Sequence, residues 1–380
     1  MSDSRNWFDL MPEDRKRRFP GSLRSSNARI EIEGKTLINF ASNDYLGLAT
    51  HAGVKCAAAD MIKRQGFGSG ASRFISGDAP ELYKLEAELA AWKGYEAALV
   101  VGSGYLANVG LLDALNDRHG TMFCDRLNHA SLVDGSRLSR ARVYRYAHRD
   151  VEQLSQMMQG SGNGRNMIIT DGVFSMDGDC APVRDLLDLA VKHDGLLLVD
   201  DAHGTGVLGS EGRGLLAEEG ISGHQRVIEV GTLGKALGSY GAFILGSSEI
   251  IEGLKQRLRS LIYSTALPPC AAAAAIVAIR LCRSSDLLQR LSSNMKYFLH
   301  AAESRGITLM PSRTAIQPMI LGENKTAMRA ASSLREAGFF VPAIRPPTVP
   351  EGTSRLRITL SAMHKERHID ALLKALKSVI

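Results

Sequence analysis

The amino-acid sequence predicts an α/β protein, with a large domain on a seven-stranded, mostly parallel sheet and a smaller α+β domain behind it. Two observations carry this expectation. Through the middle of the 380 residues, short apolar, β-branched runs alternate with helical patterns, as strand–crossover–strand units do. After Ser248 the texture changes to long helical patterns broken by a few strands. A composition of 44% hydrophobic and 23% charged residues is that of an ordinary globular chain with ample core.

The expected strands are 97–101, 121–124, 143–146, 167–171, 196–200, 227–230 and 242–245. Before the first lies a helix over 81–93, whose Leu82, Leu85, Leu89 and Trp92 share one face, and Gly94 ends it. Another helix follows Pro182, with Leu186, Leu189 and Ala190 inward, and closes near Gly195. These elements define a domain of residues 45–250, preceded by an N-terminal segment, 1–44. Residues 251–380 form the C-terminal domain. Around and within it the patterns give helices at 249–262, 270–281, 287–304, 325–337 and 366–378, and strands at 315–321 and 355–360. The stretch IRPPTVP (344–350) reads as a rigid loop, because proline lacks the N–H that a helix or central strand needs. Such loops are common places for substrate contacts.

Several function classes fall away. The apolar run 268–279 is too short to cross a bilayer, and the N-terminal residues lack the apolar stretch of a secretory signal, so a cytosolic protein is expected. Cys56, Cys124, Cys180, Cys270 and Cys282 are widely spaced with no C-x-x-C, which suits buried small hydrophobes rather than disulfides or a zinc site. No metal is expected. The net charge is +6, but acids and bases are interspersed and the one basic cluster noted is Arg15-Lys16-Arg17-Arg18. No nucleic-acid-binding motif accompanies it, and a mild positive balance suits an anionic small substrate.

Four segments carry chemistry. LLLVDDAHGTG (196–206) is a buried strand ending in two carboxylates and a histidine, where ligands of open parallel sheets lie. Residues 204–209 spell G-x-G-x-x-G, with Glu229 downstream; yet SEGRG (210–214) is too glycine-rich for a first helical turn, so a dinucleotide is not expected. In VGTLGKALG (230–238), glycines clear space around Lys235, as a Schiff-base lysine needs, and Ala236 spoils a Walker reading. GSGYLAN (102–108) opens a helix after a strand, offering free N–H groups to a phosphate and an aromatic face at Tyr105. His129 follows another strand end. Singly these read as solvated acids, a surface lysine and a core histidine. Jointly they meet the needs of pyridoxal 5′-phosphate: a Schiff-base lysine and an acid against the pyridinium nitrogen.

SNDYLGL (42–48), GFGSGASRFISG (66–77), DRLNHASL (125–132), DGVFSMDGD (171–179), VDDAHGTG (199–206) and the lysine loop extend the match. From residue 17 to its C-terminus the chain resembles the α-oxoamine synthases, fold-type I pyridoxal-phosphate-dependent transferases. The resemblance implies that Lys235 forms the Schiff base and later shuttles the proton. It sets Asp200 against the pyridinium nitrogen, His203 against the ring hydroxyl, and His129 on the ring face and the substrate. Gly104, Tyr105, Ser175 and Thr232 serve the cofactor and its phosphate, and Ser264 and Thr265 the phosphate of the neighbouring subunit of a homodimer. Asn43 and Arg357 hold the amino-acid carboxylate, and Thr348 the acyl substrate. At a substrate-contacting arginine of the family this chain has Lys16, which keeps the charge without the fork, so Arg17 or Arg18 are alternatives. Residues 262–265 and 343–353 are similar to the branch that joins L-alanine to a pimeloyl thioester of coenzyme A or acyl carrier protein. The rivals are branches that use glycine with acetyl- or succinyl-coenzyme A, and a catalytically inactive partner subunit.

Overall fold

The computed structural model describes residues 19–26, 28–160, 165–284 and 286–379. All seven expected strands of the large sheet form, in the spatial order Ala97–Val101, Ala242–Gly246, Val227–Thr232, Leu196–Asp200, Asn166–Asp171, Thr121–Asp125, Arg142–Tyr146. Neighbours are parallel except Ala242–Gly246, which runs antiparallel to both its partners. The Lys235 loop is therefore the connection of an antiparallel pair. It lies at the carboxyl end of Val227–Thr232, the same edge of the sheet at which Asp200 ends its strand.

Side chains of a strand alternate between faces, and both faces here are covered. Leu198, Ile228, Ile169 and Cys124 pack in one cluster, which takes in Leu111 and Leu112 of helix Gly104–Leu115 and Leu132 of helix Ala130–Leu138. Leu197, Val199, Ile168 and Phe123 pack in the other, with Leu186 and Leu189 of helix Val183–Lys192 and Leu85 and Leu89 of helix Pro80–Lys93. Each fully buried leucine contributes about 1.5–3 kcal/mol, so a continuous apolar run such as Leu197–Val199 has nowhere to sit but inside. Helix Pro80–Lys93 starts on a proline and stops at Gly94, whose φ of 78° is left-handed, as the sequence predicts.

Tertiary contacts override local pattern in three places. The helical pattern 249–262 divides into Ser248–Arg257 and Arg259–Ile262, because Leu258 is extended (φ −69°, ψ 94°). It is drawn in against Gly110, and Ser260 donates to the Leu106 carbonyl at 2.8 Å. Ile344 is not loop but part of the short strand Ala343–Ile344, which edges a three-stranded antiparallel sheet with Ser354–Thr359 and Ile316–Gly322. The N-terminal segment, in which no strand is predicted, contributes Ser22–Ser26, Arg29–Ile32 and Lys35–Asn39 to a four-stranded sheet completed by Phe339–Phe340. The helix Pro269–Ser284 packs against Ala52–Gln65 and Pro80–Lys93. Among the described residues no helix is long and apolar enough to cross a membrane.

Candidate active site

Consecutive residues at a strand end point to opposite faces. Asp200 turns toward helix Gly104–Leu115, where it accepts a hydrogen bond from Asn108 Nδ2 at 2.6 Å; its other oxygen accepts from the Ala202 N–H at 3.0 Å. Asp201 turns the other way. Asn108 Nδ2 also donates to Ser131 Oγ at 2.9 Å, and that hydroxyl lies 2.7 Å from His129 Nδ1. With Asn108 donating to it, the hydroxyl gives its own proton to Nδ1. Burial holds His129 below the usual histidine pKa, Asp200 pulling it up and Lys235 down. The neutral ring then carries its proton on Nε2. The backbone fixes the ring from below: His129 caps helix Ala130–Leu138, and its N–H donates to Asp171 Oδ2 at 2.7 Å.

His203 stands on the turn after Asp200, buried but bordering the cavity. Burial, then the charges of Lys235 and Arg357, hold it neutral, well below its usual pKa. Tyr45, itself pushed up to about 12 by burial, places its hydroxyl 2.6 Å from His203 Nδ1 and donates to Asn43 Oδ1 at 3.3 Å. Lys235 hangs from the loop between Thr232 and Gly241. Thr232 Oγ1 accepts from the Gly234 N–H and donates to the Gly241 carbonyl, both at 3.1 Å. Gly238 has φ 60°, and a Cβ there would fall 2.1 Å from the Ala49 nitrogen, so the loop closes only with glycine. Burial pulls Lys235 down to about 8, against the raising charges of Asp200 and Asp171. Among the described residues it makes no ion pair.

Arg357 completes the group. It is buried on strand Ser354–Thr359 and donates through Nε to the Ser175 carbonyl at 2.6 Å, through one NH to Thr359 Oγ1 at 2.9 Å, and through the other to Asn43 Oδ1 at 3.2 Å. Its five N–H groups outnumber these acceptors and the Tyr45 oxygen beside them, which leaves donor capacity for a ligand.

One cavity of about 1000 Å³ gathers Asn43, His129, Ser175, His203, Lys235 and Arg357, with Thr348 of the proline loop on its wall. Asp200 sits behind this wall and Thr232 braces the lysine loop. Gly104 opens its helix with empty space where a Cβ would point. Tyr105 is 48% exposed, its hydroxyl on Asp134 at 2.6 Å. Ser264 and Thr265 do not line the cavity, and Lys16 lies outside the described residues. Sequence reasoning assigned no role to Asn108, Ser131, Tyr45 or Asp171. A signal existed for Asn108, a lone polar residue on the face shared by Ala107, Leu111 and Leu112. The 204–209 glycines open no helix: only the short turn Ser210–Gly212 follows, and Glu229 is fully buried beside Lys93. The donor set fits pyridoxal phosphate: a half-buried amine that readily loses its proton, a hydrogen-bonded carboxylate at a strand end, two neutral imidazoles, and an open helix start.

Comparison with known proteins agrees. The aminotransferase class I and II family matches residues 35–376. The 8-amino-7-oxononanoate synthase of Alkalilimnicola ehrlichii is 47% identical over 366 residues, covering 96% of this chain and 94% of its own. Among solved structures, the 8-amino-7-oxononanoate synthase of Francisella tularensis is 30% identical with a TM-score of 0.78, over 90% of this chain and 97% of that one. Serine palmitoyltransferase of S. paucimobilis, solved with a bound PLP–myriocin aldimine, is 28% identical with a TM-score of 0.90, over 94% and 90%. Backbone shape thus lies nearer one relative and sequence nearer the other; side chains, not shape, select substrates, so identity is the better guide to chemistry. The chain belongs to the aminotransferase class I and II family, among relatives that carry the name 8-amino-7-oxononanoate synthase.

Proposed function

We propose that this chain condenses L-alanine with a pimeloyl thioester to give 8-amino-7-oxononanoate, CO2 and the free thiol carrier, as a cytoplasmic enzyme of biotin synthesis. The observation that carries the reading is one cavity holding both the Lys235 amine and the Asn43–Arg357 anion site, under the proline loop. Lys235, Asp200, His203 and His129 would hold the cofactor by its aldehyde, ring nitrogen, ring hydroxyl and ring face. Gly104, Tyr105, Ser175 and Thr232 would serve it and its phosphate. Pyridoxal phosphate, when bound, supplies an aldehyde for the amino group and a ring that accepts the electron pair of the α-carbon.

Arg357 binds the alanine carboxylate through its unengaged donor capacity, a charge-assisted contact. Lys235, with a pKa of about 8, is a competent base near neutrality and takes the α-proton. His129 Nε2–H donates to the thioester oxygen as negative charge grows there. A carbon–carbon bond forms, the carbon–sulfur bond breaks, and the carrier departs as its thiolate, which takes a proton from water. The carboxylate leaves Arg357 as CO2, and Lys235 returns a proton to the same carbon. Thr348 contacts the acyl chain, and Lys16 or a neighbouring arginine would supply a further cationic contact.

A homodimer is part of the proposal, with Ser264 and Thr265 serving the other subunit's phosphate. In support, both lie off their own cavity beside Tyr263, which is 72% exposed. The test is thiol and CO2 release from alanine plus pimeloyl-coenzyme A, against glycine plus acetyl- or succinyl-coenzyme A. The alanine pair should react fastest. A faster glycine pair overturns the substrate assignment, and a cofactor-loaded chain inert with every pair overturns the enzyme.

A further inference from the structure

Asp171 and Asp200 end neighbouring strands in register, and each reaches His129 by a different route. Asp171 takes its backbone N–H directly. Asp200 is joined to its ring through Asn108 and Ser131, both wholly buried. The helices that carry these two meet at Gly135, where a Cβ would fall 2.9 Å from the Asn108 carbonyl oxygen. Ser131 lies one turn before Gly135 on the same helix face, so the close approach brings its hydroxyl within 2.9 Å of Asn108 Nδ2.

The direction of donation along this chain has one source. The Asp200 carboxylate only accepts, so the Asn108 amide presents N–H to it, and Asn108 Oδ1 stays buried without a partner among the described residues. That is costly, but an amide turned the other way would set oxygen against carboxylate. The second Nδ2 proton goes to Ser131 Oγ, whose own proton is then aimed at His129 Nδ1. The Ser131 N–H points at the same nitrogen, at 3.3 Å. Two donors on one ring nitrogen keep a proton off it. We propose that Asn108 and Ser131 are positioning residues for the acyl step: through them Asp200 holds His129 with its Nε2–H toward the thioester oxygen. The inference rests on the condensation reading above and names the residues that prepare one half of it. Removal of the α-proton by Lys235 needs no proton on Nε2, whereas charge growing on the thioester oxygen does.

The experiment uses the cofactor-loaded enzyme with nitrogen-15 in its histidine rings, above the ordinary histidine pKa of about 6.5. The His129 signals, identified by their loss in His129→Gln, should show Nε2 protonated and Nδ1 as an acceptor. In Ser131→Ala the proton should spread over both nitrogens while the cofactor's visible band is kept, which also shows an intact site. Condensation with pimeloyl-coenzyme A should then fall at least ~10-fold further than deuterium exchange at the alanine α-carbon without thioester, part of the ~10²–10³ that a lost oxyanion donor costs. Ser131→Thr, which keeps the hydroxyl, should restore both readouts. Asn108→Leu should repeat the ring signature and also shift the visible band, because Asp200 loses a donor. A proton on Nδ1 in the unsubstituted chain overturns the proposal. So do ring signals unmoved by Ser131→Ala, and equal losses of exchange and condensation. If the unsubstituted chain turns over no thioester, it is the reaction assignment that fails, and the ring signals still decide the relay.

Discussion

Two lysines of this fold leave bulk water, Lys93 wholly buried and Lys235 half-buried on the cavity wall, and they meet opposite fates. Lys93 ends its helix with no exposure, pairs with Glu229, lies 3.8 Å from Asp201, and donates to Thr205 Oγ1 at 3.0 Å and to the Arg213 carbonyl. Lys235 is held by the loop across the sheet end with no ion pair among the described residues, and burial draws its pKa down to about 8. Both leave water; among the described residues a carboxylate touches only Lys93, while Asp200 and Asp171 act on Lys235 without an ion pair. A buried amine with a carboxylate against it is a strut. Without one, it is a base and a nucleophile.

The sharpest way to break the contrast is Lys235→Ala. Activity should fall at least ~10³-fold, the scale of losing a group that transfers the reacting proton. Borohydride should no longer fix pyridoxyl to the chain, and continued labelling would show that another amine holds the cofactor.

Lys93→Met should act on the fold instead. Burial already raises the pKa of Asp201, to about 8, and that of Glu229, with Lys93 opposing both. Stranding them without a cation should cost about 3–5 kcal/mol, read from the denaturant midpoint. Lys93→Met/Glu229→Gln should recover part of that; an unchanged midpoint in the single variant would show that the pair is not a strut.

A third cation sharpens the rule at smaller scale. Burial lowers His148, but Asp125 at 3.0 Å and Asp179 at 2.9 Å outweigh it and raise the ring to about 9. A raised folded-state pKa means the stabilisation is complete below pH 6.5 and is lost as pH climbs through 9. It amounts to about 2–3 kcal/mol after allowing for partial exposure. His148→Gln should flatten that decline in pH-resolved unfolding curves, and an unaltered slope would place its source elsewhere. Lys235 contributes the opposite sign in the cofactor-free chain, stability rising between pH 8 and 10.5, because its folded-state pKa is depressed.

The seven strands were legible because strands buried on both faces read as unbroken apolar runs, and Gly94 was legible as a stop because few other residues adopt its φ. The strand order was not, since pairing depends on crossovers and not on local pattern. The meander of residues 22–39 was missed although Ile30 and Ile32 alternate with Arg29 and Glu31, a short signal next to the longer helical ones.

Read alone, the chain already dictates its reactive chemistry: a lysine between glycines, acids and a histidine closing an apolar strand, and a glycine turn before a helix. Only folding decides which of two lysines keeps a partner, and which of the adjacent Asp200 and Asp201 meets the Asn108–Ser131–His129 relay. The reason is physical. Pairing, burial and the facing of a strand are relations between residues far apart in the chain, such as Asn108 and Asp200 or Lys93 and Glu229, and no local pattern encodes them.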